Sequence, residues 1–233
     1  MLQDSPVGSV FAETPCERRA IHLFREHYEK AAQELGKTPY AIPVIERRDG
    51  THLLGKNSVM PRSDRCYVFD LHTLKFLSCA ILDLAKKVDQ GRIIGVWQDF
   101  DYYREEDARF KALAQTFESI RVWGCGQTPS RRKRVDFCQT QDPRILKYWI
   151  TLFRSAGCRA VLIARQINKT SDPAKKRFVG FYTFNPYMVK WIAWRFNLCC
   201  CGIGKLFDQW EDELHLPQIK MSELRAIEKG QRF

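Results

Sequence analysis

Behind Asp70, the apolar residues Leu71, Leu74, Leu77, Ile81, Leu84, Ala85 and Val88 recur at helical spacing, and Gln90-Gly91 then leads straight into the apolar run Arg92–Trp97. The first pattern is the buried stripe of an amphipathic helix, the second a short buried strand. A helix joined to a buried strand by so short a link must pack on the sheet that holds the strand. The rest of the chain has to supply the remaining strands and helices of an α/β core.

Helical periodicity marks four further segments. Thr14-Pro15-Cys16-Glu17 fits a capping box, followed at core spacing by Ile21, Phe24, Tyr28, Ala31 and Leu35, with Gly36 as the stop. Phe110, Leu113, Ala114 and Phe117 define a helix over about 104–117 with acidic residues in its first turn, which suit the positive end of its dipole. Asn185-Pro186 opens a helix carrying Val189, Ile192, Ala193 and Phe196. Asp142-Pro143 opens another, with Leu146, Trp149, Ile150 and Phe153 on one face, and a short helix is expected near Ser222–Lys229.

Strands are expected at 119–125 and 135–138 and as a hairpin of 159–167 with 177–184. Residues 40–46 read as an edge strand, because Pro43 lacks the donor a central strand needs. The expected fold is α/β (mixed α+β): one central mixed sheet covered by helices, with an N-terminal helical extension. The chain divides into an N-terminal helix and irregular extension at 1–62, an α/β core at 63–205, and an acidic tail with a short helix at 206–233. Phe110, Leu113, Phe117, Ile93, Val161, Ile163, Val189 and Ile192 are expected to share a single core.

Of the 233 residues, 45% are hydrophobic and 28% charged, enough for a sizeable core and against disorder. No apolar run approaches the length of a membrane span, and residues 1–10 lack the order of a secretory signal. Nine cysteines without a CxxC pair read as reduced thiols of a cytoplasmic protein. The net charge of +11 is concentrated: residues 119–205 hold 17 Lys+Arg against Asp136, Asp142 and Asp172, a local excess of +14. Such a stretch attracts polyanions, whether acidic proteins, nucleic acid or anionic ligands.

Within that stretch the turn Arg131, Arg132, Lys133, Arg134 and the cluster Lys175, Lys176, Arg177 are the candidate contact points for a partner or polyanion. Trp97, Asp99 and Asp101, where a strand meets a helix, are candidates for a ligand pocket, since α/β ligands bind at such ends; helix capping is the competing role of the two aspartates. Cys199, Cys200 and Cys201 are redox candidates, although adjacent side chains diverge and metal-ligand spacing is absent. Trp191 and Trp194 either broaden a buried face or make a partner-facing patch. Gly124-Cys125-Gly126 is a plain turn, because no helix opens directly after it. The spacing of His22, His27, His52, His72 and His215 matches no metal motif. No hydrolase elbow, P-loop or dinucleotide fingerprint is present, and no cofactor is implied.

Tyr67–Val88, Ile93–Trp97 and Phe110-Lys-Ala-Leu-Ala-Gln-Thr-Phe117 resemble the first half of a DICT domain, and Ala160-Val-Leu-Ile-Ala-Arg165 with Arg177-Phe-Val-Gly-Phe-Tyr-Thr-Phe-Asn-Pro186 is similar to its second half. The resemblance covers roughly residues 65–200. It implies a bacterial sensory domain of the kind associated with diguanylate cyclases and two-component systems and common in cyanobacteria, here in a stand-alone form. The functional expectation is therefore a sensory or regulatory module, not an enzyme, that binds a small ligand or an acidic or signalling protein partner and relays its state through protein contact. A homo-oligomer fits the same expectation. A nucleic-acid-binding regulator using 119–205 is the alternative, with Phe137 and Phe178 as the nearest aromatics to the basic turns.

Overall fold

The computed structural model describes residues 21, 22, 24–26, 28–30, 33, 39–46, 52–54, 65–88, 90–199, 214 and 216–229, with the side chains of 45, 46, 52–54 and 196–199 left aside. The expected capping box at 14–17, the stop at Gly36, His27, His215, and Cys200 and Cys201 lie outside the described residues.

Among the described residues, nine strands form one mixed sheet. They are β1 (Ala41–Glu46), β2 (His52–Leu54), β3 (Cys66–Asp70), β4 (Arg92–Asp99), β5 (Ser119–Cys125), β6 (Val135–Gln139), β7 (Tyr148–Arg154), β8 (Arg159–Gln166) and β9 (Arg177–Thr183). Their order across the sheet is β2-β1-β3-β9-β8-β7-β4-β5-β6. Among these described strands, β4–β5 and β5–β6 are the parallel pairs. The helices are α1 (Leu71–Lys86), α2 (Phe100–Glu105), α3 (Asp107–Thr116), α4 (Pro143–Leu146), α5 (Pro186–Cys199) and α6 (Met221–Glu228), with helical residues between 21 and 33 at the N-terminal end.

All eight residues assigned to one core are buried, but they belong to two layers. Ile93, Phe110, Leu113 and Phe117 join α1 and the N-terminal helical residues Phe24 and Tyr28 on one face of the sheet. Val161, Ile163, Val189 and Ile192 lie on the other face with α5 and Leu224 of α6. The reason is the pleat: Ala160, Leu162 and Ala164 of β8 point into the first layer, while Val161 and Ile163 point into the second. A sheet buried on both sides cannot have a single core.

Strands β2 and β3 and helix α2 have no counterpart among the expected elements, and two further elements depart from the sequence reading. The helix expected after Asp142-Pro143 lasts one turn. Asp142 caps it by accepting from the Arg144 amide, and the chain then becomes strand β7. Six of the seven β7 residues are buried, with Trp149, Thr151 and Phe153 on one face and Tyr148, Ile150 and Leu152 on the other. A run that is apolar on both faces carries no period of two, so an i, i+3, i+4 subset can be picked from it by accident. The second departure is β1, which pairs with β2 as well as β3 and is not an edge. Pro43 is tolerated because β2 pairs only with Val44, Ile45 and Glu46, so the proline itself has a strand on one side alone.

The junction that constrained the fold behaves as expected. Asp70 accepts from the Thr73 amide at 2.7 Å and caps α1. Gly91, at φ +141°, turns the chain into β4, and a Cβ there would lie 2.4 Å from the Arg154 carbonyl oxygen. Arg109 of α3 clamps α1 through Asp83 at 2.9 and 3.2 Å and also contacts Glu106 and the Cys79 thiol. Burial pushes the Cys79 pKa up to about 12.

Candidate functional site

Beside the carboxyl end of the parallel pair β4–β5, polar groups gather along the β8–β9 connection. Asn168 organises that connection: its Nδ2 donates to the Lys175 carbonyl at 2.7 Å and its Oδ1 accepts from the Arg177 amide at 2.8 Å. Gln166 Nε2 donates to the Asn168 carbonyl at 2.6 Å, and Gln166 Oε1 accepts from Gln98 Nε2 at 2.6 Å. Gln98 Oε1 in turn accepts from Lys176 Nζ at 2.6 Å. Desolvation lowers the Lys176 pKa below its ordinary value, against the opposing pull of Asp99 and Cys125.

On the outer side of the connection lies a groove of about 570 Å³. One wall is Ile167, Asn168, Lys169, Thr170, Lys175 and Arg177; the other is Met221, Arg225 and Glu228 of α6. Those three α6 residues sit at i, i+4 and i+7 and so share one helix face. Leu224 and Ile227, each one position before a member of that stripe, pack into the second core layer. The groove thus lies between the β8–β9 connection and a helix that belongs to the acidic end of the chain.

Polar bonds at Glu228 help hold α6 in place. Glu228 Oε1 accepts from Tyr40 Oη at 2.8 Å and from Arg177 Nε and Nη2 at 3.2 and 3.1 Å. The Arg177 guanidinium lies 4.7 Å from the centre of the Tyr40 ring, a cation–π contact. Burial opposes the Arg177 charge, but its bonds to Glu228 and the neighbouring Tyr40 outweigh burial and raise its pKa. Burial, then Glu228, raise the Tyr40 pKa, so its hydroxyl stays a donor.

The sequence candidates fall as follows. Lys175 and Arg177 line the groove, and Lys176 turns the other way, onto Gln98. In the basic turn, Arg132 is bound to Asp107 and donates to Tyr103 Oη at 3.2 Å. Arg134 donates to the Gln115 carbonyl at 2.7 Å and caps the end of α3. Arg131 and Lys133 are the exposed members whose side chains make no described contact. This turn carries residues 126–134 back along β5 so that β6 can pair parallel with it, and its arginines fasten that return.

Trp97, Asp99 and Asp101 do not converge. Trp97 is buried in the first layer, where its indole donates to Thr151. Asp99 caps α2 by accepting from the Asp101 amide at 2.9 Å, and it sits against Gly126, where a Cβ would lie 3.0 Å from its Oδ1. Asp101 is exposed and paired with Arg104. Cys199 ends α5, and no group of His, Cys, Asp and Glu among the described residues is arranged to hold a metal ion. Trp191 packs partly on the second layer, whereas Trp194 is 52% exposed.

Lys169, Arg225, Glu228, Met221 and Tyr40 were not among the sequence candidates. They come from three separated segments, and the one hint in the sequence is the opposition between the acidic tail and the basic 119–205 stretch. No helix among the described residues is long and apolar enough to cross a membrane. No protein-family model matches this chain, and no curated protein matches it either.

Proposed function

We propose that this chain is a sensory or regulatory module in which a small ligand in the β8–β9 groove is read out through α6. The carrying observation is that α6 is both a wall of the groove and a helix fastened at its last residue by bonds from Tyr40 and Arg177, one of which, Arg177, also lines the groove. Whatever occupies the groove touches the fastening. A partner protein that recognises α6 then senses occupancy, because a ligand shifts an equilibrium by its differential affinity for the two positions. The resemblance of residues 65–200 to the DICT sensory domain supports the same reading.

Polyanion binding through the basic turn has less support. Arg132 and Arg134 are engaged within the chain, Phe178 is buried, and Phe137 packs against the first layer. Single-strand binders need exposed aromatics beside their cations.

A thermal-melt screen of the full chain against charged and uncharged metabolite-sized compounds tests the proposal. A ligand at about 100 times its Kd adds about 2.7 kcal/mol, or roughly 5–10 °C for a chain of this size. Met221→Trp, which fills the groove, is expected to abolish that gain. A screen in which nothing stabilises the chain, or stabilisation indifferent to Met221→Trp, contradicts the reading.

A further inference from the structure

We infer that the groove takes an organic phosphate or diphosphate, and that its phosphate competes with Glu228 for Arg177 and so loosens α6; this rests on the groove being the regulatory site. Four cations line the groove, Lys169, Lys175, Arg177 and Arg225, against one carboxylate, Glu228. Lys175 is paired with Asp172 at 3.2 Å and Arg177 with Glu228. Among the described residues, Lys169 and Arg225 have no acidic partner. One lines the groove from the loop and the other from α6, so the groove offers unmatched positive charge on both walls.

The pairing already present is the kind a phosphate can displace. Arg177 Nε and Nη2 converge on the single oxygen Oε1 of Glu228, which also accepts from Tyr40. A guanidinium edge is best matched by two oxygens, one for each N–H, and a phosphate supplies them. Glu228 is also the last residue of α6, where the helix dipole disfavours a negative charge. Its place there depends on Arg177 and Tyr40, and a ligand that captures Arg177 removes the larger part of that support. The volume exceeds what a bare phosphate fills and suits a small organic molecule. Ile167 and Met221 provide apolar wall for its uncharged part.

Titration calorimetry of the full chain with inorganic pyrophosphate tests this, with Arg225→Gln, Glu228→Gln and, as a control outside the groove, Lys133→Gln. Saturable binding tighter than about 1 mM is expected. Glu228→Gln keeps the acceptor for Tyr40 but removes the competing charge, so it should bind pyrophosphate about two- to fivefold more tightly, the range of a partly exposed ion pair. Arg225→Gln should weaken binding about fivefold or more, and Lys133→Gln should leave it within about twofold. Melting curves confirm that each variant is folded. No saturable binding, a Glu228→Gln affinity equal to or weaker than wild type, or equal weakening by Lys133→Gln overturns the inference. An uncharged compound that stabilises the chain in the manner sensitive to Met221→Trp, with pyrophosphate inert, sinks the phosphate class and leaves the regulatory reading standing.

Discussion

Ser78→Ala is expected to destabilise this protein far more than the loss of one hydroxyl from a helix surface. Ser78 faces the sheet from α1, where its Oγ accepts from Trp149 Nε1 at 2.8 Å and from Thr151 Oγ1 at 2.9 Å. Thr151 Oγ1 accepts in turn from Trp97 Nε1 at 3.2 Å. Indole nitrogen only donates, so both tryptophan bonds run onto hydroxyl oxygens, and the third bond joins the two hydroxyls to each other. All four side chains are buried. Removing Oγ leaves the Trp149 N–H without an acceptor, at about 1–3 kcal/mol, and deletes the Thr151 bond, at about 0.5–1.5 kcal/mol. The expected total is about 1.5–4.5 kcal/mol. Thr151→Val keeps the shape, strands the Trp97 N–H and deletes the same Thr151–Ser78 bond. The double variant loses that shared bond once, so it should be less destabilised than the sum of the singles by about 0.5–1.5 kcal/mol. Urea unfolding followed by tryptophan fluorescence measures all three. A Ser78→Ala change below about 0.5 kcal/mol, or strict additivity, refutes the network.

Leu113→Ala, in the first core layer, should cost about 2–5 kcal/mol through lost transfer energy and the cavity left behind; an unchanged denaturant midpoint contradicts that placement. The Arg132 bond holds the Asp107 carboxyl below its ordinary value of 3.8, so its contribution is present above that value and lost as pH falls through the lower folded pKa. Asp107→Asn should therefore lower stability at neutral pH, by no more than about 1 kcal/mol for so exposed a pair, and the deficit should shrink as pH falls below the ordinary aspartate range; a deficit undiminished in acid contradicts the pairing. Lys176, desolvated beside Gln98, should acylate with a midpoint below the ordinary lysine value of 10.5, read by mass spectrometry of peptides labelled across a pH series. A midpoint at or above that value rejects the described environment.

Local signals carried much of this fold. The α1–β4 junction was legible because Asp70, the leucine stripe and Gln90-Gly91 each act within a few residues. The β8–β9 hairpin and α6 were legible for the same reason. β7 was not, because burial on both faces erases the alternation that marks a strand. The division into two core layers was hidden too, since apolar periodicity says that a face is buried and not against which side of a sheet. At the candidate site the sequence singled out Lys175 and Arg177 from charge alone but could not separate them from Arg132 and Arg134, whose partners Asp107 and Gln115 are supplied by tertiary packing. Glu228 and Tyr40 lie 188 residues apart, and only the folded sheet brings them together on one oxygen.

The regulatory reading stands or falls on whether α6 responds to the groove. Hydrogen exchange of the full chain, followed peptide by peptide with and without a compound whose stabilisation is sensitive to Met221→Trp, measures this directly. The account predicts faster exchange for the amides of Met221–Glu228 on binding, with the amides of β4, β7 and β8 unchanged. Binding that leaves α6 exchange unaltered, or that changes the whole sheet equally, contradicts it.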